Sequence, residues 1–480
     1  MDVKEIFLEH NMRLTPEAEE YLKNLTIDEV KDIVLTLMEE KKVFVELDDL
    51  KKEEKEKITV IRSTFKEIEA REYSSNFKIH WERDITNKSR SKGKIEDFVE
   101  NVRDKYKKLS SIVRTKMTTY QNVSFKKING GGMESEKVRV IVIVSDKRTT
   151  QKGNLLLEVE DESDTGIIII SDKETKLFDE AQMISNDSVI GIEGSIFKNM
   201  VIAERIVWPD IPVNHKLEPL KENLSIMYIS DTHIGSNLFL DKPFEKMIDW
   251  LKEGGEQASR VKYMCIAGDV VDGVGIYPGQ EKELVVKDIY EQYDIFGKYM
   301  EQIPEYIEIF IIPGNHDAVR RAQPQPKIPK ELINLNGRVH LLGDPAWVTI
   351  EKYLHLLYHG DALDSVIASL PGLDYKQPEK AMVELLKRRH LSPIYGTNPI
   401  VPETTDYLVI DEVPEVVCMG HLHKNGVSKY RNVFNINAGT FQLKTEYQAK
   451  FGHVPTPGIA TLFNMDSLNI SHVKFYEGEV

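Results

Sequence analysis

Long apolar runs are missing from this chain. No stretch of 18 or more apolar residues occurs in its 480 residues, which excludes a membrane-spanning helix. The N-terminus, Met1-Asp2-Val3-Lys4-Glu5, lacks the charged-then-apolar pattern of a secretory signal. Cysteine is nearly absent. The two present, Cys265 and Cys418, sit inside apolar strand-like runs, so buried free thiols in a reducing, cytoplasmic setting are expected rather than a disulfide framework. Positive charge is also short. A net charge of −15 argues against coating nucleic acid through the overall field, and leaves room for a local basic groove. The 41% hydrophobic and 29% charged shares are those of ordinary globular proteins, and the length allows two to four domains with real cores.

The chain changes texture along its length. Residues 1–70 read as a small helical domain. Thr15-Pro16-Glu17-Ala18-Glu19 has a capping threonine, proline at the first position and acids in the first turn, and a further helix is predicted over 25–41. Residues 71–130 read as a linker carrying an amphipathic helix. Lys88-Ser89-Arg90-Ser91-Lys92-Gly93-Lys94 is solvated in character, and Phe98, Val102, Tyr106, Leu109 and Val113 recur at helical spacing. On this reading, residues 1 to about 125 are dispensable for binding a partner. Residues 131–215 read as five strands with a helix between the third and fourth, an order that suits an OB-fold barrel. Its strands carry few aromatics and many acids, so a docking role is expected ahead of DNA binding. From 216 to 480 apolar strands alternate with helical segments, an α/β pattern. The fold class expected is therefore multidomain α+β.

Five of those α/β strands end in polar clusters. Ile226-Met227-Tyr228-Ile229 runs into Asp231 and His233, which share a side if the chain stays extended. The strand ending at Ala267 leads to Asp269 and Asp272, and the next leads to Asn315, His316 and Asp317. A fourth ends in His359, and a fifth in His421 and His423. Ligands of open α/β sheets bind beyond such carboxyl ends. One histidine in a turn is ordinarily a surface residue, but five strand ends delivering Asp, Asn and His together predict a metal site. The mixed carboxylate, imidazole and amide donors suit Mn, Fe, Zn or Ni. So many candidate ligands are too many for one ion, and a shared carboxylate between two ions solves the count, the usual device for phosphoester hydrolysis. Arg320, Arg321, Lys387, Arg388 and Arg389 are the basic residues best placed by sequence to meet phosphates.

The blocks Asp-x-His, Gly-Asp-x-x-Asp-Gly, Gly-Asn-His-Asp, His-Gly and Gly-His-x-His resemble the calcineurin-like metallophosphoesterase superfamily. That resemblance implies an α/β sandwich with a two-metal site at strand ends. One ion would be held by Asp231, His233, Asp269 and His423, and the other by Asp269, Asn315, His359 and His421. It also makes His316 the group that contacts phosphate and protonates the leaving oxygen, with Asp272 and Asp317 orienting the ligands. The preceding barrel, "PEKAMVELLKRRHLSPIYG", "PTPGI" and "GNHDAVRRAQPQP" resemble the small subunits of archaeal family-D DNA polymerases over roughly residues 130–480. What this implies is a 3′–5′ proofreading exonuclease using two divalent ions (Mn²⁺ first, with Fe, Zn, Ni or Mg as alternatives). Its partners would be a large polymerase subunit and DNA with a 3′ end, and no membrane. Related eukaryotic subunits have lost their ligands, whereas all seven positions are filled here. A Ser/Thr phosphatase would read Gly-Asp-x-Val-Asp-Arg-Gly and Gly-Asn-His-Glu; here Gly273 follows Asp272 and residue 317 is Asp. A repair nuclease would share the metal set without the barrel, and a catalytically silent subunit would not need the ligands.

Overall fold

The computed structural model describes residues 68–478 except 334 and 451, and before them residues 3–10, 12–23 and isolated positions between 30 and 50. The chain divides into two compact units, Met1–Ile68 and Glu69–Val480. In the first, the Thr15 hydroxyl accepts from the Ala18 amide at 3.4 Å and starts the helix Pro16–Leu22 as its sequence predicts. Phe7, Ala18, Leu22 and Val45 share a buried core. The helix expected over 25–41 lies for the most part outside the described residues. Among the described residues, no helix is long and apolar enough to cross a membrane.

The second unit begins where a linker was expected. Phe77–Ile79 (β1) pairs antiparallel with Val348, Thr349 and Ile350. The Phe77 ring meets Phe310 edge-on at 5.2 Å, and the Arg83 guanidinium lies 4.6 Å over the Trp347 ring. The Lys- and Ser-rich stretch is also tied down. Glu403, only 5% exposed, accepts from the Arg90 and Ser91 amides at 2.9 and 3.1 Å and from the Ser89 hydroxyl. Polar composition signalled exposure correctly here but not freedom. Glu403→Ala leaves those donors without their acceptor. It is expected to cost about 1–3 kcal/mol and to speed tryptic cleavage at Arg90 and Lys92; unchanged cleavage would refute the anchoring.

The helical spacing from Phe98 to Val113 gives α1, Ile95–Lys116. Its Leu109, Val113 and neighbouring Met117 pack with Ile141, Ile143, Val189 and Val207 of a barrel and with Val409 beyond it. The barrel comprises β2 (Lys137–Thr149), β3 (Leu155–Glu160), β4 (Thr165–Ile170), α2 (Thr175–Gln182), β5 (Val189–Phe197) and β6 (Met200–Val207). Five strands, with the helix after the third, match the sequence pattern. Closure comes from the 13-residue β2, which serves two neighbours. Its first half pairs with β5 and its second with β3, with an irregularity between Val144 and Asp146.

The remainder is a sandwich of two six-stranded sheets. The first sheet contains β7 (Ser225–Ile229), β8 (Val261–Ala267), β9 (Glu308–Ile312) and β10 (Val339–Leu341), in parallel. The second contains β1 and β11 (Ala346–Ile350), β12 (Tyr353–Leu357), β13 (Val416–Met419), β14 (Gly426–Tyr430) and β15 (Val433–Asn437). The hairpin β16 (Ile459–Asn464) and β17 (Asn469–Lys474) adds to the first sheet beside β7. Alternation sorts the residues. Tyr228, Cys265, Phe310 and Ile312 face Val348, Leu357, Cys418 and Ile436 across the interior. Met227, Met264, Ile266 and Ile311 face outward against α3 (Asp241–Glu253) and α4 (Ile289–Gln302). Leu356, Tyr358 and Met419 face α5 (Ala362–Ser369) and α6 (Pro378–Arg388) on the other side. Strands buried on both faces read as continuous apolar runs, which is why the sequence marked them. Both cysteines are free and buried.

Three basic residues expected to meet phosphates are engaged within the fold instead, two of them between barrel and sandwich. Lys387 and Arg388 lie 4.8 and 5.1 Å from the Trp208 ring centre. Arg388 is buried, and donates to the Glu384 carboxylate and the Met183 carbonyl. Arg389 is buried too, and donates to the Ile410 carbonyl.

Candidate metal centre

The polar strand ends of both sheets converge. Asp231 and His233 follow β7, Asp269 follows β8, Asn315 follows β9, His359 follows β12, and His421 and His423 follow β13. The route differs from the extended one expected. Asp231, His233, Asp269, His421 and His423 all have left-handed backbones, with φ between 47° and 65°. Each such residue costs about 1–3 kcal/mol and persists only where the surroundings enforce it. They do: the Asp231 carbonyl accepts from the Phe441 amide at 3.0 Å and the Thr440 hydroxyl at 2.7 Å, and the His233 amide donates to the Asp269 carbonyl at 3.1 Å. Glycine makes room. A side chain at Gly314 would put its Cβ 2.2 Å from Asp269 Oδ1, and one at Gly420 would meet Asp231 Oδ2 at 2.4 Å.

Two groups of donor atoms result. In the first, His233 Nε2 lies 3.0 Å from His423 Nε2, 3.6 Å from Asp269 Oδ2 and 3.9 Å from Asp231 Oδ1. His423 Nε2 lies 3.4 Å from Asp231 Oδ1. In the second, His359 Nε2 lies 3.3 Å from Asp269 Oδ2 and 3.1 Å from Asn315 Oδ1, which is also 3.1 Å from His421 Nδ1. Asp269 Oδ2 belongs to both.

These donors fit cations. His359 Nδ1 lies 2.7 Å from the Ala267 carbonyl, which only accepts, so the proton is on Nδ1 and Nε2 offers a lone pair to two oxygens. His233 Nδ1 likewise donates to Asp272 Oδ1 at 2.9 Å, leaving Nε2 facing another imidazole nitrogen. Lone pairs aimed at one another need a positive charge between them, either a proton or a metal ion. Burial alone would raise Asp269, but His359, His316 and His233 hold its carboxyl well below the usual range. Burial likewise opposes His421, yet Asp364 lifts it to about 9.

Asp272 meets His233, and Asp317 Oδ2 accepts from the Gly314 amide at 2.8 Å while Oδ1 accepts from the Tyr293 hydroxyl at 3.1 Å. Asp317 is thus bound to Gly314 and Tyr293. Burial lowers His316, whose Nδ1 donates to the Asp272 carbonyl at 2.8 Å. Burial and Asp269 push Asp317 up to about 7. Arg320 is committed to the Pro324 carbonyl and the Ser89 hydroxyl, whereas Arg321 lines the cleft.

Sequence reasoning missed two carboxylates. Asp364 Oδ2 lies 2.9 Å from His421 Nε2, and Asp361 Oδ1 lies 3.8 Å from both His359 Nε2 and His421 Nδ1. The signal was present in His359-Gly360-Asp361-Ala362-Leu363-Asp364, one turn of chain beyond the ligand. A cleft of about 1070 Å³ opens over both donor groups, with Tyr277, Tyr375, Tyr447 and His453 also in its walls.

The calcineurin-like phosphoesterase family model matches residues 224–425. The chain is 40% identical over 403 residues to the DNA polymerase II small subunit of Archaeoglobus fulgidus, covering 82% of this chain and 80% of that one. To the subunit of the same name from Methanocaldococcus jannaschii it is 39% identical, over 82% of this chain and 68% of that one. The Thermoplasma acidophilum subunit is 37% identical, with 78% and 77% covered.

Proposed function

The chain belongs to the family of DNA polymerase II small subunits, and from that premise we propose that it is a two-metal 3′–5′ DNA exonuclease working beside a large polymerase subunit. The observation that carries this reading is one carboxylate, Asp269, whose Oδ2 stands 3.6 Å from His233 Nε2 and 3.3 Å from His359 Nε2. Asp231, His233, Asp269 and His423 would hold one divalent ion, and Asp269, Asn315, His359 and His421 the other, with Mn²⁺ the first choice and Fe, Zn, Ni or Mg compatible. Ions so held neutralise charge on the attacking and leaving oxygens of a phosphodiester. Water then bonds to phosphorus as the bond to O3′ of the penultimate nucleotide breaks. The products are a deoxynucleoside 5′-monophosphate and a strand one residue shorter. With His316 Nδ1–H anchored on the Asp272 carbonyl, the ring's Nε2 would take up the proton that the attacking water releases and hand it to that O3′. Arg321 draws the phosphate backbone into an otherwise acidic molecule. The closed barrel, inferred to be an OB fold, serves docking.

The test offers Mn²⁺-loaded protein three substrates: a 3′-mismatched primer, a phosphopeptide and blunt duplex ends. Mononucleotide release from the mismatched 3′ end is expected. Phosphate release from the peptide with the DNA intact would overturn the reading.

The partner site is assigned to the second unit. Removing residues 1–68 is expected to leave co-purification with the large subunit intact, and its loss would refute this. Removing 1–125, which the sequence alone marks as dispensable, would also strip β1 from its sheet and α1 from between barrel and sandwich.

A further inference from the structure

Two aromatic groups flank the donor atoms, and they lie on chemically different sides. On the side of the second group, His421 Nε2 meets Asp364 at 2.9 Å, and the Tyr375 hydroxyl donates to the same carboxylate. The Tyr375 ring stacks on His453, with centres 4.1 Å apart and planes 28° apart, and both line the cleft. On the side of the first group, His316 meets His233 edge-on at 4.6 Å, and Tyr277 lies 6.3 Å from His316. Tyr277 is 38% exposed and also lines the cleft.

We propose that the Tyr375–His453 stack is a binding site for a single nucleobase, that of the 3′-terminal nucleotide, and that Tyr277 carries the strand left behind. This deepens the exonuclease reading and rests on it. The orientation follows from the leaving group. His316 serves the oxygen that stays with the shortened strand, so that strand runs on the His316–Tyr277 side. The terminal nucleotide, whose phosphate bridges the donor groups, extends toward His421, Asp364 and Tyr375. Flat rings accept any base, because every base has a π face, and a base can lie on them only when unpaired. The site therefore selects frayed over paired 3′ ends without reading sequence.

The full chain is loaded with Mn²⁺, and binding of 2-aminopurine deoxyriboside 5′-monophosphate is followed by fluorescence quenching. Inorganic phosphate binding and metal content are measured in parallel. Tyr375→Ala and His453→Ala are each expected to weaken nucleotide binding about tenfold or more and to raise KM for an unpaired 3′ end. Phosphate affinity and metal content should hold. Tyr375→Phe, which keeps the ring and loses the hydroxyl, should bind the nucleotide as the parent does. Tyr277→Ala should raise KM for the strand and leave nucleotide binding unchanged. Unquenched fluorescence in the parent, or equal nucleotide and phosphate losses in Tyr375→Ala, would overturn the base site. A parent chain that binds the nucleotide but degrades no DNA would instead count against the exonuclease reading.

Discussion

Asp269→Ala is expected to empty both ion positions together, whereas His233→Ala weakens chiefly one. The asymmetry follows from the position of a single oxygen. Asp269 Oδ2 is within 3.6 Å of a donor nitrogen from each group. The residue is buried, so its charge acts through little screening water. Removing it takes a ligand and a negative charge from each ion at once. His233→Ala takes a neutral ligand from one ion, and the other keeps Asp269, Asn315, His359 and His421. Metal counting on purified variants is expected to fall from two ions per chain toward none in Asp269→Ala and toward one in His233→Ala. The rate should fall in Asp269→Ala by at least the roughly 10²–10³-fold that follows removal of one electrostatic partner of a transition state. Full occupancy in Asp269→Ala would rule out the bridge.

His316→Ala separates holding ions from doing chemistry. The imidazole lies between Asn315 and Asp317 in sequence yet serves neither. Its Nδ1 is fixed on the Asp272 carbonyl, and its amide donates to Asp269 Oδ1 at 2.8 Å. Alanine keeps that amide. The variant should therefore hold both ions and the fold while losing roughly 10²-fold or more in rate, the scale of a general acid. Polymerisation by the large subunit should persist with poorer correction of mismatched 3′ ends. If the ring merely props Asn315, the variant would lose metal and excess Mn²⁺ would restore the rate. Such rescue is the result that refutes the acid role.

Much of the centre was legible because buried parallel strands announce themselves as apolar runs and their ends as abrupt polar clusters. The polar residues that converge could be listed before any geometry was known, and the family resemblance singled out seven of them as ligands. Their approach could not. An i, i+2 argument placed Asp231 and His233 together through an extended chain, but the chain coils through left-handed residues stabilised by distant partners such as Phe441 and Thr440. Long-range partners also hid the fate of the basic residues. Nothing near Arg388 or Arg320 in sequence foretells Met183, Trp208 or Ser89. The three-residue β1 was invisible for the same reason, since a strand so short exists only through its pairing with residues far along the chain.

That pairing has a consequence for biosynthesis. Ile79 lies opposite Val348, about 270 residues later. At roughly 5–20 residues per second, the ribosome needs on the order of 15–50 s to supply the partner. Throughout that interval the segment around Phe77 has left the exit tunnel with no edge to join, so the second sheet can be sealed only after most of the chain has been made.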